Sequence, residues 1–235
     1  MVYGSDPFYL VFLAPGLLLA AWASWKVQRA YAEAQKVPAA SGVSGAETAQ
    51  VILSRFGMTA VRIEVAEGFL SDHYDPVGKV LRLSPDVYEG RTLAALGITA
   101  HEAGHALQDA THYPLLKLRN GIVPLAAWGG NLSWILILLG FALSSLNLIV
   151  IGIVAFSLTL LFQIINLPVE FDASQRARQA LRSVGLIDPR EELVVKKVLS
   201  AAALTYVAAT LTSLLTLAYY LYRSGLLGSH EHGET

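Results

Sequence analysis

Between residues 120 and 169 the chain carries no Asp, Glu, Lys or Arg, and the turn-forming letters "SSLN" at 144–147 divide that interval in two. Each half, 122–144 and 146–167, has the length that a helix rising about 1.5 Å per residue needs to cross a hydrocarbon core of about 30 Å. Lipid offers the backbone no hydrogen-bond partners, so such a pair must fold as helices, here as a membrane hairpin. Two further stretches, 8–25 and 199–222, are long and apolar enough to cross as well. The expected fold class is therefore a mainly α membrane protein with four transmembrane helices. A composition of 54% hydrophobic and 15% charged residues, with mean hydropathy +0.50, agrees. The first stretch lacks the basic start of a signal peptide and runs on into "WKVQRAYAEAQK" without a small-residue cleavage site, so it reads as a retained anchor.

The basic residues orient the helices. Of 17 Lys and Arg, ten lie between Lys26 and Arg119, six between Arg176 and Lys197, and only Arg223 follows the last span. The positive-inside rule places both polar segments in the cytoplasm and both termini outside, in the plasma membrane, with the short 176–197 loop the more reliable indicator. The organisation that follows is an anchor at 1–25, a cytosol-facing segment at 26–120, the hairpin at 121–168, a second cytosol-facing segment at 169–198, and a last span with a short tail at 199–235. A net charge of −1 gives no basic face for nucleic acid. The bilayer is an expected partner.

Within 26–120, "KVQRAYAEAQK" continues the first helix and "VPAASGVSG" reads as a linker. "SGAETAQVILSRFG" has the form of an amphipathic helix, with Ser44 and Glu47 at capping-box spacing and Gly57 just past its end. Val61, Ile63 and Val65 alternate with polar neighbours as in a half-buried strand, and "KVLRLS" at 79–84 predicts a second strand after the turn-rich "SDHYDPVGK". Ser84 and Pro85 offer a cap and first-turn proline to a helix that continues, with a break at Gly90. These elements make a small α+β unit.

That helix contains "TAHEAGHALQ". His101 and His105, four apart, lie on one helix face and can aim their imidazoles at a single ion. Glu102 lies about 100° further round, able to take a proton from water at the metal without being a ligand itself. With no cysteine in the chain, any metal must be held by His, Asp or Glu. A bare HExxH also arises by accident, in which case the histidines are ordinary helix residues. A catalytic zinc (Zn2+) site needs three protein ligands, so the third decides. After Asp109 the next acidic residue is Glu170, in "LPVEFDASQRA". The interval is almost entirely the hairpin, and two crossings return the chain to the face it left. Hydropathy, read without reference to metal, thus puts Glu170 on the same side as His101 and His105.

"SDHYDPVGKVLRLSPDVYEGRTLAALGITAHEAGHALQDA" followed by "LPVEFDASQRA" resembles the YugP-like bacterial membrane zinc metallopeptidases, which are similar in layout to the HtpX and Ste24 membrane proteases. The resemblance implies that the α+β unit is a zincin-like catalytic unit acting on a peptide or membrane-protein substrate through a gluzincin-type site, with zinc on His101, His105 and Glu170 and with Glu102 as general base and then acid. Where gluzincins commonly place Asp four residues after the ligand glutamate, to orient a zinc histidine, this chain has Ser174. A hydroxyl can accept the imidazole N–H but brings no charge. Asp172 is the nearest carboxylate, and on a helix it points elsewhere.

Several residues keep two readings. His73 in "SDHYDP" is either a catalytic group stabilising the oxyanion or a locally bonded turn residue. Arg176 either polarises the scissile carbonyl or holds the helix at the membrane boundary. His112 is a helix-end residue, and His230 and His232 belong to a solvated tail. "KVLRLS" could add a substrate strand by backbone pairing. Asn131, Ser133, Gln163 and Asn166 are expected to join membrane helices. The expected activity is a membrane-bound zinc endopeptidase hydrolysing peptide bonds at the cytoplasmic membrane surface. The motif helix, bounded by Arg91 and Asp109, is too short an apolar run for an intramembrane site. The competing function is a zinc-stabilised membrane scaffold or chaperone-like binding module without proteolysis.

Overall fold

A computed structural model describes residues 7–68 and 71–226. His230 and His232, and the first six residues of the anchor segment, lie outside the described residues. In chain order the elements are α1 (Pro7–Ala34), α2 (Gly45–Arg55), β1 (Arg62–Val65), β2 (His73–Asp75), β3 (Val80–Leu83), α3 (Pro85–Glu89), α4 (Leu93–Ala110), α5 (Pro114–Ala142), α6 (Leu146–Ser183) and α7 (Pro189–Arg223). Four of them, α1, α5, α6 and α7, are long and apolar enough to cross a membrane. Each outruns its apolar core. At 38 residues α6 is about 57 Å long against a hydrocarbon thickness of about 30 Å, so its C-terminal half must lie beyond the lipid.

The chain divides into two compact units. One holds residues 1–22, 118–167 and 205–235, the other residues 23–117 and 168–204. In the first, α5 and α6 pack through small residues. A Cβ on Gly129 would lie 2.7 Å from the Ala155 carbonyl oxygen, so only glycine allows that approach. Ile137, Ile149 and Ile153 fill the seam. At the head of the hairpin Ser144 takes φ +52 and the Ser145 N–H reaches the Gly140 carbonyl. Asn166 does join two helices, accepting from Arg119 Nε at 3.1 Å, whereas the Ser133 hydroxyl bonds back to Gly130 in its own helix.

The second unit is the α+β part. Its three-stranded sheet has the order β1-β3-β2, with β1 parallel and β2 antiparallel to β3. Leu81 and Leu83 of β3 are buried with Ile52 and Leu53 of α2, Leu93 and Leu96 of α4, Leu181 of α6 and Val195 of α7. The capping box of α2 forms in both arms, Ser44 N–H to Glu47 Oε2 at 2.6 Å and Glu47 N–H to Ser44 Oγ at 3.2 Å, worth about 1 kcal/mol. Gly57 ends that helix at φ +71.

Two local expectations are corrected. "SDHYDPVGK" is a hairpin rather than a turn alone. His73–Asp75 forms β2, and the Asp75 carboxylate accepts from the N–H groups of Val77 and Gly78 to close the bend. Ser84 precedes α3 without capping it, because its hydroxyl is 3.1 Å from both oxygens of Asp72. The break at Gly90 stands, and Thr92 caps α4 by accepting from the Ala95 N–H.

Candidate metal centre

The motif helix α4 is almost wholly enclosed by its own unit, with Leu96, Ala100, Ala103 and Leu107 in the core. Small residues let it run close to α6. A Cβ on Gly104 would lie 2.5 Å from the Ala173 carbonyl oxygen, and Ala173 and Ala177 of α6 are fully buried at helical spacing. This contact brings the HExxH face against the start of the polar half of α6, where Glu170 is 3% exposed.

Nε2 of His101 lies 3.3 Å and Nε2 of His105 3.7 Å from Oε2 of Glu170, with the imidazole rings nearly perpendicular and their centroids 4.9 Å apart. One donor atom from each of the three residues lies within 4.8 Å of the others, a set able to hold a metal ion. Ligand atoms about 2.0–2.2 Å from a tetrahedral zinc are about 3.3–3.6 Å apart; the two distances to Glu170 are close to that spacing, and the nitrogen and carboxylate chemistry suits that ion. Burial pushes the Glu170 carboxyl up, but the two imidazoles outweigh it and hold the group well below the usual carboxylate range. Burial likewise lowers His105, and the nearby carboxylates of Glu170 and Glu102 reverse this and raise it.

The Nδ1 atoms face outward to partners. Ser174 Oγ is 3.2 Å from Nδ1 of His101, so the hydroxyl does occupy the orienting position. Asp172 reaches no imidazole directly, as its place on the helix predicts. It accepts from Arg176 Nε at 2.6 Å and from Gln108 Nε2 at 2.9 Å, and Oε1 of Gln108 is 3.0 Å from Nδ1 of His105. Arg176 is occupied by this ion pair, by Thr111 and by the Tyr113 ring. Sequence reading missed Gln108. The signal was its position three residues after His105, one turn along the same face.

Glu102 is buried, and its Oε2 accepts from the backbone N–H of Tyr74 in β2 at 3.1 Å. Within an antiparallel ladder a residue's N–H and C=O point to one side, so Tyr74 also turns its carbonyl away from β3 and toward α4. The Tyr74 hydroxyl donates to Asp109 at 2.7 Å, and Lys79 reaches the same carboxylate at 2.5 Å, which pins the hairpin to the motif helix. Since β3 is the central strand, both its edges are taken. The expectation that "KVLRLS" could receive a substrate strand is therefore corrected. His73 is not gathered into the centre. Successive strand residues face opposite sides, and its exposed ring bonds the Ser71 carbonyl at 2.7 Å and stands beside Arg82.

Four helices able to cross a bilayer, with two histidines and a glutamate converging beside a second buried carboxylate, define a class: a multi-pass membrane protein carrying the donor set of a zinc peptidase. The chain belongs to the family described as "Putative neutral zinc metallopeptidase", whose model matches residues 9–225. It is 48% identical over 209 residues to the "Putative membrane protease YugP" of Bacillus subtilis, an alignment covering 89% of this chain and 92% of that protein. No solved structure matches the chain.

Proposed function

We propose that this chain is a gluzincin-type zinc endopeptidase that hydrolyses peptide bonds at the cytoplasmic surface of the plasma membrane. The observation that carries the reading is the convergence of His101, His105 and Glu170 from two helices, with Glu102 beside them and held by another element. In this reading His101, His105 and Glu170 are the metal ligands and Glu102 is the catalytic carboxylate. A zinc ion held by these three residues would supply Lewis acidity to a carbonyl and would make water at the site more acidic.

The chain's own residues do the rest. An extended peptide lies along the outer edge of β2 and pairs with the Tyr74 C=O, whose own N–H stays on Glu102, which sets the peptide's carbonyl over the centre. Glu102, steadied through Oε2 by the Tyr74 amide, takes a proton from the attacking water on its other oxygen. As the C–N bond breaks, the same carboxyl passes that proton to the leaving amine. The distribution of ten and six basic residues in the two polar segments supports a cytoplasmic site.

Glu102→Gln tests the reading, because Glu102 is not a ligand. In zinc-loaded protein the variant is expected to retain the metal and to lose at least about 10²-fold in hydrolysis of an unfolded protein substrate, the usual share of a general base. Unchanged hydrolysis overturns the mechanism. Retained cellular function in a metal-bound, inactive variant points instead to a zinc-stabilised scaffold.

A further inference from the structure

Gln108 is fully buried, and every polar atom of its side chain is engaged. Nε2 donates to the Val169 carbonyl at 2.8 Å and to Oδ2 of Asp172 at 2.9 Å, while Oε1 faces Nδ1 of His105 at 3.0 Å. Both groups at Nε2 can only accept: one is a backbone carbonyl and the other a carboxylate that already receives Arg176 Nε at 2.6 Å. The amide therefore has one orientation that satisfies its surroundings. Its carbonyl oxygen must face His105, and an imidazole nitrogen facing a carbonyl oxygen must carry the hydrogen.

We propose that Gln108 is a positioning residue that holds His105 in the Nδ1–H tautomer, leaving Nε2 free to ligate, and that it does so under the control of the Asp172–Arg176 ion pair. Val169 immediately precedes Glu170, so the same amide also ties the turn bearing the third ligand to the helix bearing the second. His101 has only the neutral Ser174 hydroxyl at the equivalent place. The charge that other zinc sites place directly on a histidine is here set one residue back and reaches His105 through the Gln108 amide, which Asp172 polarises. Arg176 thereby acquires a structural role: it fixes the Asp172 oxygen that locks the amide.

This inference rests on His101, His105 and Glu170 being the zinc ligands, and its test separates the two ideas. Full-length protein in detergent is titrated with zinc against a competing chelator, and with cobalt for the absorption spectrum of the bound ion. Gln108→Met keeps the volume and removes the amide; it is expected to weaken zinc on the order of 10- to 100-fold and to alter the cobalt spectrum. Asp172→Asn, which can present an amide N–H where only an acceptor fits, is expected to shift both readouts in the same direction. Leu181→Ala, in the same buried cluster and outside the hydrogen-bond network, controls for lost packing and is expected to leave affinity and spectrum at wild-type values. Wild-type protein that binds no zinc refutes the ligand assignment itself. Wild-type binding with an unchanged Gln108→Met affinity and spectrum refutes the role of Gln108 and leaves the ligands standing, and equal losses in Leu181→Ala refute it too.

Discussion

Gly104→Ala separates the packing that shapes the metal centre from packing that merely stabilises the unit. The added methyl would sit 2.5 Å from the Ala173 carbonyl oxygen and 3.3 Å from the Ala173 Cα. Relief to ordinary contact needs about 1 Å of separation between α4 and α6, and backbone, unlike a side chain, cannot rotate aside. Ligand distances tolerate only about 0.2 Å, so the ion can be held only by pressing the helices back against that contact. Overpacking of this kind costs about 1–3 kcal/mol, which corresponds to zinc binding about 5- to 150-fold weaker. Helix propensity works the other way by about 1 kcal/mol, so the metal-free protein should lose little thermal stability. Gly97→Ala in the same helix is the matched control. Its methyl would come nearest to the Val195 side chain, at 3.3 Å, a much milder approach to a side chain rather than to backbone. Chelator competition on both variants, with thermal melts with and without zinc, reads the difference. Gly104→Ala binding zinc as tightly as Gly97→Ala refutes the idea that the α4–α6 approach sets the ligand spacing.

Ser174→Ala removes the hydroxyl beside His101 and is expected to weaken zinc by about tenfold, measured by the same competition, with the fold intact by circular dichroism. Tyr74→Phe deletes the hydrogen bond to Asp109, at a cost of about 1 kcal/mol in unfolding, and leaves Lys79 on the carboxylate. Because β2 also holds Glu102, turnover should fall while zinc affinity stays at the wild-type value. Burial pushes the Asp109 carboxyl up, but Lys79 and Tyr74 outweigh it and hold the group below its ordinary value of 3.8. Its contribution to stability is therefore present above that pH and lost as the pH falls through the lower folded value; a pH series of melts should show a weaker acid decline in Asp109→Asn. A decline as steep as the wild type's would place the acid sensitivity elsewhere.

What the residues disclosed in advance follows from the range over which each force acts. The four spans were legible because lipid makes one demand along about 20 successive residues, and 120–169 meets it twice without a charge. The Ser44–Glu47 capping box, Gly57 and the break at Gly90 depend on chemistry within four residues, and each formed as read. Glu170 could be singled out because the count of crossings is a topological constraint that survives any error in helix ends. β2 was hidden: three residues among turn letters become a strand only because β3, brought up by the bend at Asp75, supplies the partner. The ends of α6 and α7 were hidden for a related reason. Beyond the apolar run of α6, helix continues through Pro168 to Ser183 because Ala173, Ala177 and Ala180 are buried in the second unit, a packing gain that hydropathy does not register. Gln108 reads as an unremarkable helix residue until Val169 and Asp172, more than sixty positions away, are placed against it.

The most direct measurement is the zinc content and affinity of purified full-length protein across four single variants: His101→Ala, His105→Ala, Glu170→Ala and Glu102→Gln. The account predicts one zinc per chain in wild type and in Glu102→Gln, and loss of tight binding in each of the other three. Wild-type affinity in Glu170→Ala, or loss of the ion in Glu102→Gln, contradicts it.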